Sequence, residues 1–359
     1  MNFIDGGRRP RLLPTAIIVA FVLSFAIVST HVLSSRGDGS SSIVSHLSSY
    51  LGSSSSSHKG STAARTYPGS HYVSQRDRPL ILYAYHESKH ARENLPFFLD
   101  QGLHSNADFI FIFNGPSDLV DLVPTNRTNI RVVQRDNSCF DLGAFGEVLK
   151  EDDLWKRYKH FITLNGSLRG PFTPFWSNQC WSDVYLDELD DKTKLVGMTA
   201  NCVQPSHLQS MIYATDDVGM QLMLYPPPRL VDAHGKPTDP AAGDASEENP
   251  VGYSTCYQSF NAAVEAEKWT TPMIMQAGYH VRALMSSWSA TGGDSYWADC
   301  GDHPGDPMLH DKAYFGTNVH PYETLFFKSN RGLDPSLLKM MTTLHSKEDN
   351  RDRGYKVCG

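Results

Sequence analysis

The chain has 359 residues, 40% of them hydrophobic and 20% charged, with a formal net charge of -7. That length and apolar content suffice for a substantial buried core, in one large domain or two modest ones. The acidic balance, and the lack of a Lys/Arg cluster spaced to follow a phosphate backbone, argue against nucleic acid as a partner.

The first element is apolar. LLPTAIIVAFVLSFAIVSTHVL, Leu12–Leu33, contains no Asp, Glu, Lys or Arg. As a helix it would extend about 33 Å, enough to cross a hydrocarbon core of about 30 Å. Signal peptides have shorter apolar regions, about 7–15 residues, so an uncleaved signal-anchor is expected. Arg8, Arg9 and Arg11 precede the run, and only Arg36 follows closely. The positive-inside rule then makes 1–11 a cytosolic tail and 12–33 a single type II span, with the remainder luminal. Residues 34–77, rich in Ser and Gly, cannot bury enough apolar area to offset the entropy of ordering and are expected as a flexible stem. Residues 78–359 form the luminal domain. Such a layout suits an enzyme of the Golgi membrane, with the endoplasmic reticulum as second choice.

PLILYAY (Pro79–Tyr85) is a continuous apolar run, expected as a buried strand. Ser88–Leu103 carries apolar residues at helical spacing, and DFIFIFN (Asp108–Asn114) and NIRVVQR (Asn129–Arg135) are the next strands. Ala144–Tyr158 is expected as a helix. It leads into HFITLNGSLRG (His160–Gly170), a strand ending in an Asn-Gly turn signal. Lys194–Ala200 is another strand, Ser206–Leu224 a helix capped by its serine, and Pro226–Pro250 a long surface excursion. Phe260–Gly278 reads as a helix with a C-terminal glycine, followed by the strand YHVRALMSSW. Strands alternating with helices predict an α/β sheet covered on both faces.

Cys139, Cys180, Cys202, Cys256, Cys300 and Cys358 form no CxxC pair, and their spacing argues against a zinc site. An oxidising lumen would permit up to three disulfides, with the pairing left open. Asn126-Arg127-Thr128 and Asn165-Gly166-Ser167 are sequons. Asn126 is the expected glycan carrier, because it follows a proline-containing connection before a strand.

Candidate chemistry begins after the third strand, in RDNSCFDLGAFG (Arg135–Gly146). Asp136, Asn137 and Asp141 suit hydrogen bonds to ribose or base, and Gly143 and Gly146 would let the backbone approach a ligand. Alternatively, Asp141 caps the next helix and Phe140 and Leu142 are core. Within Ser167–Asp183, Trp176 and Trp181 could face a sugar or simply pack, and Asn165 and Arg169 could contact hydroxyls or phosphate. Asp183 is a candidate general base for an acceptor hydroxyl, or a helix cap. Gln209 could face a ligand, or serve at the core edge or as a cap. Glu265 and Glu267 point apart on their helix, so at most one enters a given pocket; Glu267 is the second candidate base. Lys328 or Arg331, assisted by His320, would neutralise a diphosphate leaving group, or form surface ion pairs.

FNG, NSCFDLGAFGEVLK, YKHFITLNGSLRGPFTPFW, CWSD, KLVGMTANC, HLQSMIYATD and NVHPYETLFFKSNR together resemble a group of membrane-anchored eukaryotic glycosyltransferase-like proteins. More distantly, they resemble the bacterial rhamnan-synthesis protein F glycosyltransferases. The resemblance spans about Pro79–Arg331 and implies a GT-A-like mixed sheet flanked by helices. It also implies a nucleotide-sugar donor and a glycan or glycoprotein acceptor. Where many GT-A enzymes carry Asp-x-Asp, this chain has Asn165-Gly166-Ser167. The paired carboxylates that would seat Mg²⁺ or Mn²⁺ are missing there, so no metal ligand is assigned, and a divalent cation would need other acids. An inactive carbohydrate-binding protein on the same scaffold is the alternative.

Overall fold

The computed structural model describes residues 77–227, 245–293 and 295–359. The expected tail and span, nearly all of the stem, and the middle of the Pro226–Pro250 excursion lie outside the described residues. No described helix is long and apolar enough to cross a membrane.

Four strands run parallel: β1 (Leu80–His86), β2 (Asp108–Asn114), β3 (Ile130–Arg135) and β4 (His160–Asn165). Apolar residues fill β1 and β2 at almost every position because helices cover both sheet faces, and β2 is buried throughout. Helix α1 (Lys89–Gln101) joins β1 to β2, and α2 (Asp141–Lys150) lies between β3 and β4. The Ser88 hydroxyl caps α1 by accepting the Ala91 N–H at 3.2 Å, satisfying one of the donors a helix start leaves open.

Beyond β4 the sheet becomes mixed. After β5 (Leu168–Arg169) and α3 (Trp181–Leu186) come β6 (Thr193–Gly197), β7 (Ala200–Asn201), β8 (His207–Leu208) and β9 (Ile212–Asp216). Helix α4 (Asp217–Leu224) and helix α5 (Phe260–Gln276) precede β10 (His280–Ala283) and β11 (Phe327–Lys328). The main sheet has seven strands in the order β10-β6-β9-β4-β1-β2-β3, with β9 antiparallel to both β4 and β6. Small two-stranded sheets pair β5 with β11 and β7 with β8. Helix α1 packs on one face, where Phe98 meets Trp181 of α3; α2, α4 and α5 pack together on the other. The expected helix-flanked mixed α/β sheet is present.

Three expected elements change. Ser206–Leu224 is not one helix, because Ile212–Thr215 is buried as a strand between β4 and β6. A strand buried on both sides is apolar at every position, so its periodicity mimics helix. The helix starts only at Asp217, where the Asp216 side chain accepts the Gly219 N–H. Ala144–Tyr158 breaks after Lys150, with Asp152 and Asp153 in the left-handed region, which short polar residues enter most readily. The strand after α5 stops at Ala283, and Ser286–Ala290 is helical.

All six cysteines are paired, as Cys139–Cys256, Cys180–Cys358 and Cys202–Cys300. Gly143 and Gly146 serve packing rather than ligand approach. A Cβ at Gly146 would lie 2.1 Å from the Tyr253 carbonyl oxygen, and one at Gly143 2.9 Å from the Cys256 Cα. The two glycines thus admit the 253–257 backbone against α2.

Two buried histidines set the acid limit of the fold. Burial, with Arg78 adding, pulls His104 from 6.5 down to about 4, and burial with Arg353 does the same to His345. Between those values the unfolded chain binds more protons, so stability is complete above the unfolded pKa and is lost as pH falls. The expected loss is on the order of 3 kcal/mol per histidine by pH 4. Unfolding midpoints measured from pH 7 to pH 4 should fall, and the slope should flatten in a His104→Gln/His345→Gln variant that still folds.

Candidate functional site

The chain leaves β1 through α1 towards β2, yet returns from β3 through α2 to β4 on the other side of β1. Opposite departures from neighbouring parallel strands open a crevice at their carboxyl ends. A cavity of about 610 Å³ occupies that place. His86 ends β1, Ser88 and His90 open α1, and Asn114 ends β2, all along its wall. Asn137 and Asp141 follow β3, Asn165–Ser167 follow β4, and Lys328 and Asn330 close the ring.

Asn165 organises its loop. Its Oδ1 accepts the Ser167 N–H at 3.1 Å and the Ser167 hydroxyl at 2.6 Å, while Nδ2 donates to Asp141 Oδ2 at 2.6 Å. Asp141 Oδ1 also accepts the Leu142 N–H at 3.0 Å. Burial pushes the Asp141 carboxyl up against the Asn165 hydrogen bond, and the Glu267 charge adds to that rise.

Lys328 arrives on β11, paired antiparallel with β5 directly after the Asn165 loop. Its Nζ lies 3.8 Å from Met211 Sδ and forms no ion pair among the described residues. Burial lowers its pKa, although Glu267 pulls the other way. Behind it, Asn94 Nδ2 donates to the Gly166 carbonyl and the Ser329 hydroxyl, each at 2.8 Å. Asn94 Oδ1 in turn accepts Arg169 Nε at 2.8 Å, and Arg169 pairs with Glu93 at 2.9 Å. Arg169 therefore clamps the loop and the Lys328 strand from behind.

Glu267 accepts the Ser210 N–H at 2.9 Å and the Ser210 hydroxyl, and faces His207 Nε2 at 3.6 Å. Its side chain is 24% exposed and lies outside the cavity lining. Burial would raise its pKa, but the His207 hydrogen bond and charge, with Lys328 and Ser210, outweigh that and hold it at about 2.

Of the residues read from the sequence, Asn137, Asp141, Asn165 and Lys328 converge on the cavity. Asp136 is exposed outside its lining. Arg331 pairs with Asp306 at 3.6 Å, near enough to depress Lys328. Gln209 is buried between Thr199 at 2.8 Å and Asp306 at 3.1 Å. Trp181 is core, its indole N–H donating to the Gly102 carbonyl at 2.8 Å, and Trp176 is solvent-exposed. Asp183 follows Ser182, which meets His104 ahead of β2. That is the amino-terminal end of the sheet, opposite the cavity. His320 caps a short helix by accepting the Tyr322 N–H at 3.1 Å. Asn126 is exposed.

Sequence reading missed His86, Ser88, Phe140 as a surface residue, Phe260 and the Ser210–His207 support of Glu267. Ser88 and His86 carried a usable signal, because the turn after the first strand of such a sheet borders the crevice.

The donor set does not fit an Asp-x-Asp type metal centre. Asp141 is the cavity's one lining carboxylate among the described residues. The two described clusters of metal-ligand residue types, His104–Cys180–Cys358 and Cys139–Glu147–Cys256, each contain a disulfide whose sulfurs are bonded to one another.

No protein-family model and no curated protein matches the chain. Among solved structures, it is similar to the mannosyltransferase PcManGT from Pyrobaculum calidifontis in complex with GDP-Man and Mn²⁺. That likeness has 10% identity and a TM-score of 0.34, over 58% of this chain and 55% of that one. It is also similar to a cytidylyltransferase from Leptospira borgpetersenii serovar Hardjo-bovis, with 11% identity and a TM-score of 0.26. That match covers 41% of this chain and 63% of that one. The chain therefore spans less than two thirds of either protein.

Replacing Arg169 tests the clamp. Arg169→Met should lower unfolding stability by about 2–3 kcal/mol, the cost of hydrogen bonds lost to a charged group. Thermal unfolding of the native protein and the variant measures that loss. An unchanged midpoint would show that Arg169 does not brace the loop.

Proposed function

We propose that this protein is a GT-A-like glycosyltransferase that moves a sugar from a nucleotide-sugar donor to a hydroxyl of a glycan or glycoprotein. The observation that carries this reading is Lys328, an ammonium without an ion-pair partner among the described residues, set in the wall of a cavity at the sheet's switch point. The start of α1, with Ser88, His90 and Ala91, lines the same cavity. Helix amino termini carry partial positive charge and open N–H groups. A lysine and this helix end together suit a diphosphate. The cavity volume falls in the range of about 300–1,000 Å³ typical of small-molecule sites.

In this reading the nucleoside lies over the ends of β1–β3, against His86, Asn114 and Asn137, and the donor sugar lies by Asn165–Ser167. Lys328 stabilises the charge that grows on the leaving diphosphate as the glycosidic bond breaks. Glu267, held at about 2, stays an anion at neutral pH. Such a group accepts a proton reluctantly, which argues against Glu267 as the general base.

The Golgi lumen, with 12–33 as signal-anchor, belongs to the same proposal. The apolar run Leu12–Leu33 and three disulfides suited to an oxidising compartment support it. Asn126, exposed beside its sequon, should carry glycan when the protein is made in eukaryotic cells, and Asn165 should not, as peptide mass spectrometry would show.

Lys328→Met should cut transfer on the order of 10²-fold, comparable with losing an oxyanion donor elsewhere, and weaken UDP or GDP binding. Its unfolding midpoint should stay level or rise, because an unpaired, half-buried ammonium is costly. Chelation should leave turnover largely intact. Unchanged nucleotide affinity in the variant would remove the proposal's main support. Tight nucleotide binding without turnover on any acceptor would favour a binding protein on this scaffold.

A further inference from the structure

Two phenylalanines stand together at the cavity mouth. Phe140 is 38% exposed and Phe260 68% exposed, and both line the cavity. Their ring centroids are 6.3 Å apart, with planes inclined at 62°. Phe140 sits at the N-cap of α2 and makes no side-chain capping bond, where Ser or Asp would add about 1 kcal/mol. A single exposed apolar residue is ordinary. Two in contact, at a cavity rim and in place of a helix cap, form a continuous apolar surface at a polar site.

The pair is held firmly. The Cys139–Cys256 disulfide lies next to Phe140 in the chain, and the Phe140 N–H donates to the Tyr257 carbonyl at 2.9 Å. Gly143 lets the 255–257 backbone lie against α2. Gln258, exposed beside the rings, also lines the cavity and presents an amide with donors and an acceptor.

We propose that Phe140, Phe260 and Gln258 form an acceptor subsite that binds a pyranose ring at the mouth of the donor cavity. This rests on the glycosyltransferase reading and deepens it. A pyranose has an apolar C–H face and a rim of hydroxyls. The aromatic pair matches the face and the amide matches the rim. Phosphate finds its partners at Lys328 and the start of α1, and an aromatic surface gives it none. A glycan on a macromolecule approaches from solvent, so the exposed lip is the part it meets first. The remaining candidate for the rings is the donor's nucleobase, which the test separates.

The full-length protein is tested by saturation-transfer NMR with a panel of methyl pyranosides and by calorimetry with UDP and GDP. The variant is Phe140→Ser/Phe260→Ser, in which the first substitution restores a helix cap and so protects folding; its unfolding midpoint is measured alongside. We expect at least one pyranoside to bind the native protein and to bind the variant about tenfold more weakly, as loss of an aromatic platform implies. Nucleotide affinity should stay within about twofold. The proposal is overturned if the native protein binds none of the pyranosides, or if binding is equal in the variant. It is equally overturned if nucleotide affinity falls instead, since the rings would then hold the base. If no nucleotide binds the native protein while pyranoside binding depends on the rings, the transferase reading fails and the sugar subsite stands.

Discussion

The crevice between β1 and β4 is the constraint on which the rest of the site depends. Both strands are buried and parallel, and their register, with Ala84 beside Asn165, is set by the apolar runs themselves. Because α1 leaves β1 on one face and α2 reaches β4 from the other, no connection covers the strand ends between them. The antiparallel β9 then brings Met211 and Ser210 to the same edge, since its first residue pairs with Leu164 at the end of β4. Pieces far apart in the chain meet there without any local motif to announce them.

The charges at this edge are only partly compensated by direct contacts among the described residues. Lys328 loses solvation with no carboxylate in contact among the described residues, whereas Lys194, also recessed, is paired with Asp216 at 2.6 Å. Leaving a charge half-compensated costs free energy that a fold has no reason to spend for stability alone. The Asn94–Arg169 clamp holds Lys328 in that position through the loop and strand it braces. Asp141 and Glu267 are pushed in opposite directions, one up by burial and one down by His207. Carboxylates separated in this way can take different parts in one reaction.

Much of this is legible in the sequence, unevenly. DFIFIFN marks its strand to the residue, since a fully buried parallel strand has no polar position to blur its ends. Asn137, Asp141 and Asn165 stand out by residue type and by position at or after strand ends, which the crevice rule rewards, and Lys328 by residue type alone. The misplaced residues are those whose partners are remote. Arg169 looks like a phosphate ligand because nothing local reveals Glu93 and Asn94 behind it. Asp183 follows the Asn165 loop in sequence, but the Trp181 and Ser182 contacts with Gly102 and His104 draw it to the opposite end of the sheet. Ile212–Thr215 reads as helix because burial on both sides erases the period that distinguishes the two.

The central claim is that the crevice is a diphosphate site built around Lys328. An experimental structure of the protein with a bound nucleoside diphosphate tests it most directly. The account predicts a phosphate oxygen within about 3 Å of Lys328 Nζ, as a charge-assisted hydrogen bond requires. It also predicts the nucleoside over the ends of β1–β3, against Asn137. A nucleotide bound elsewhere, or in the crevice with its phosphates turned away from Lys328, would contradict it.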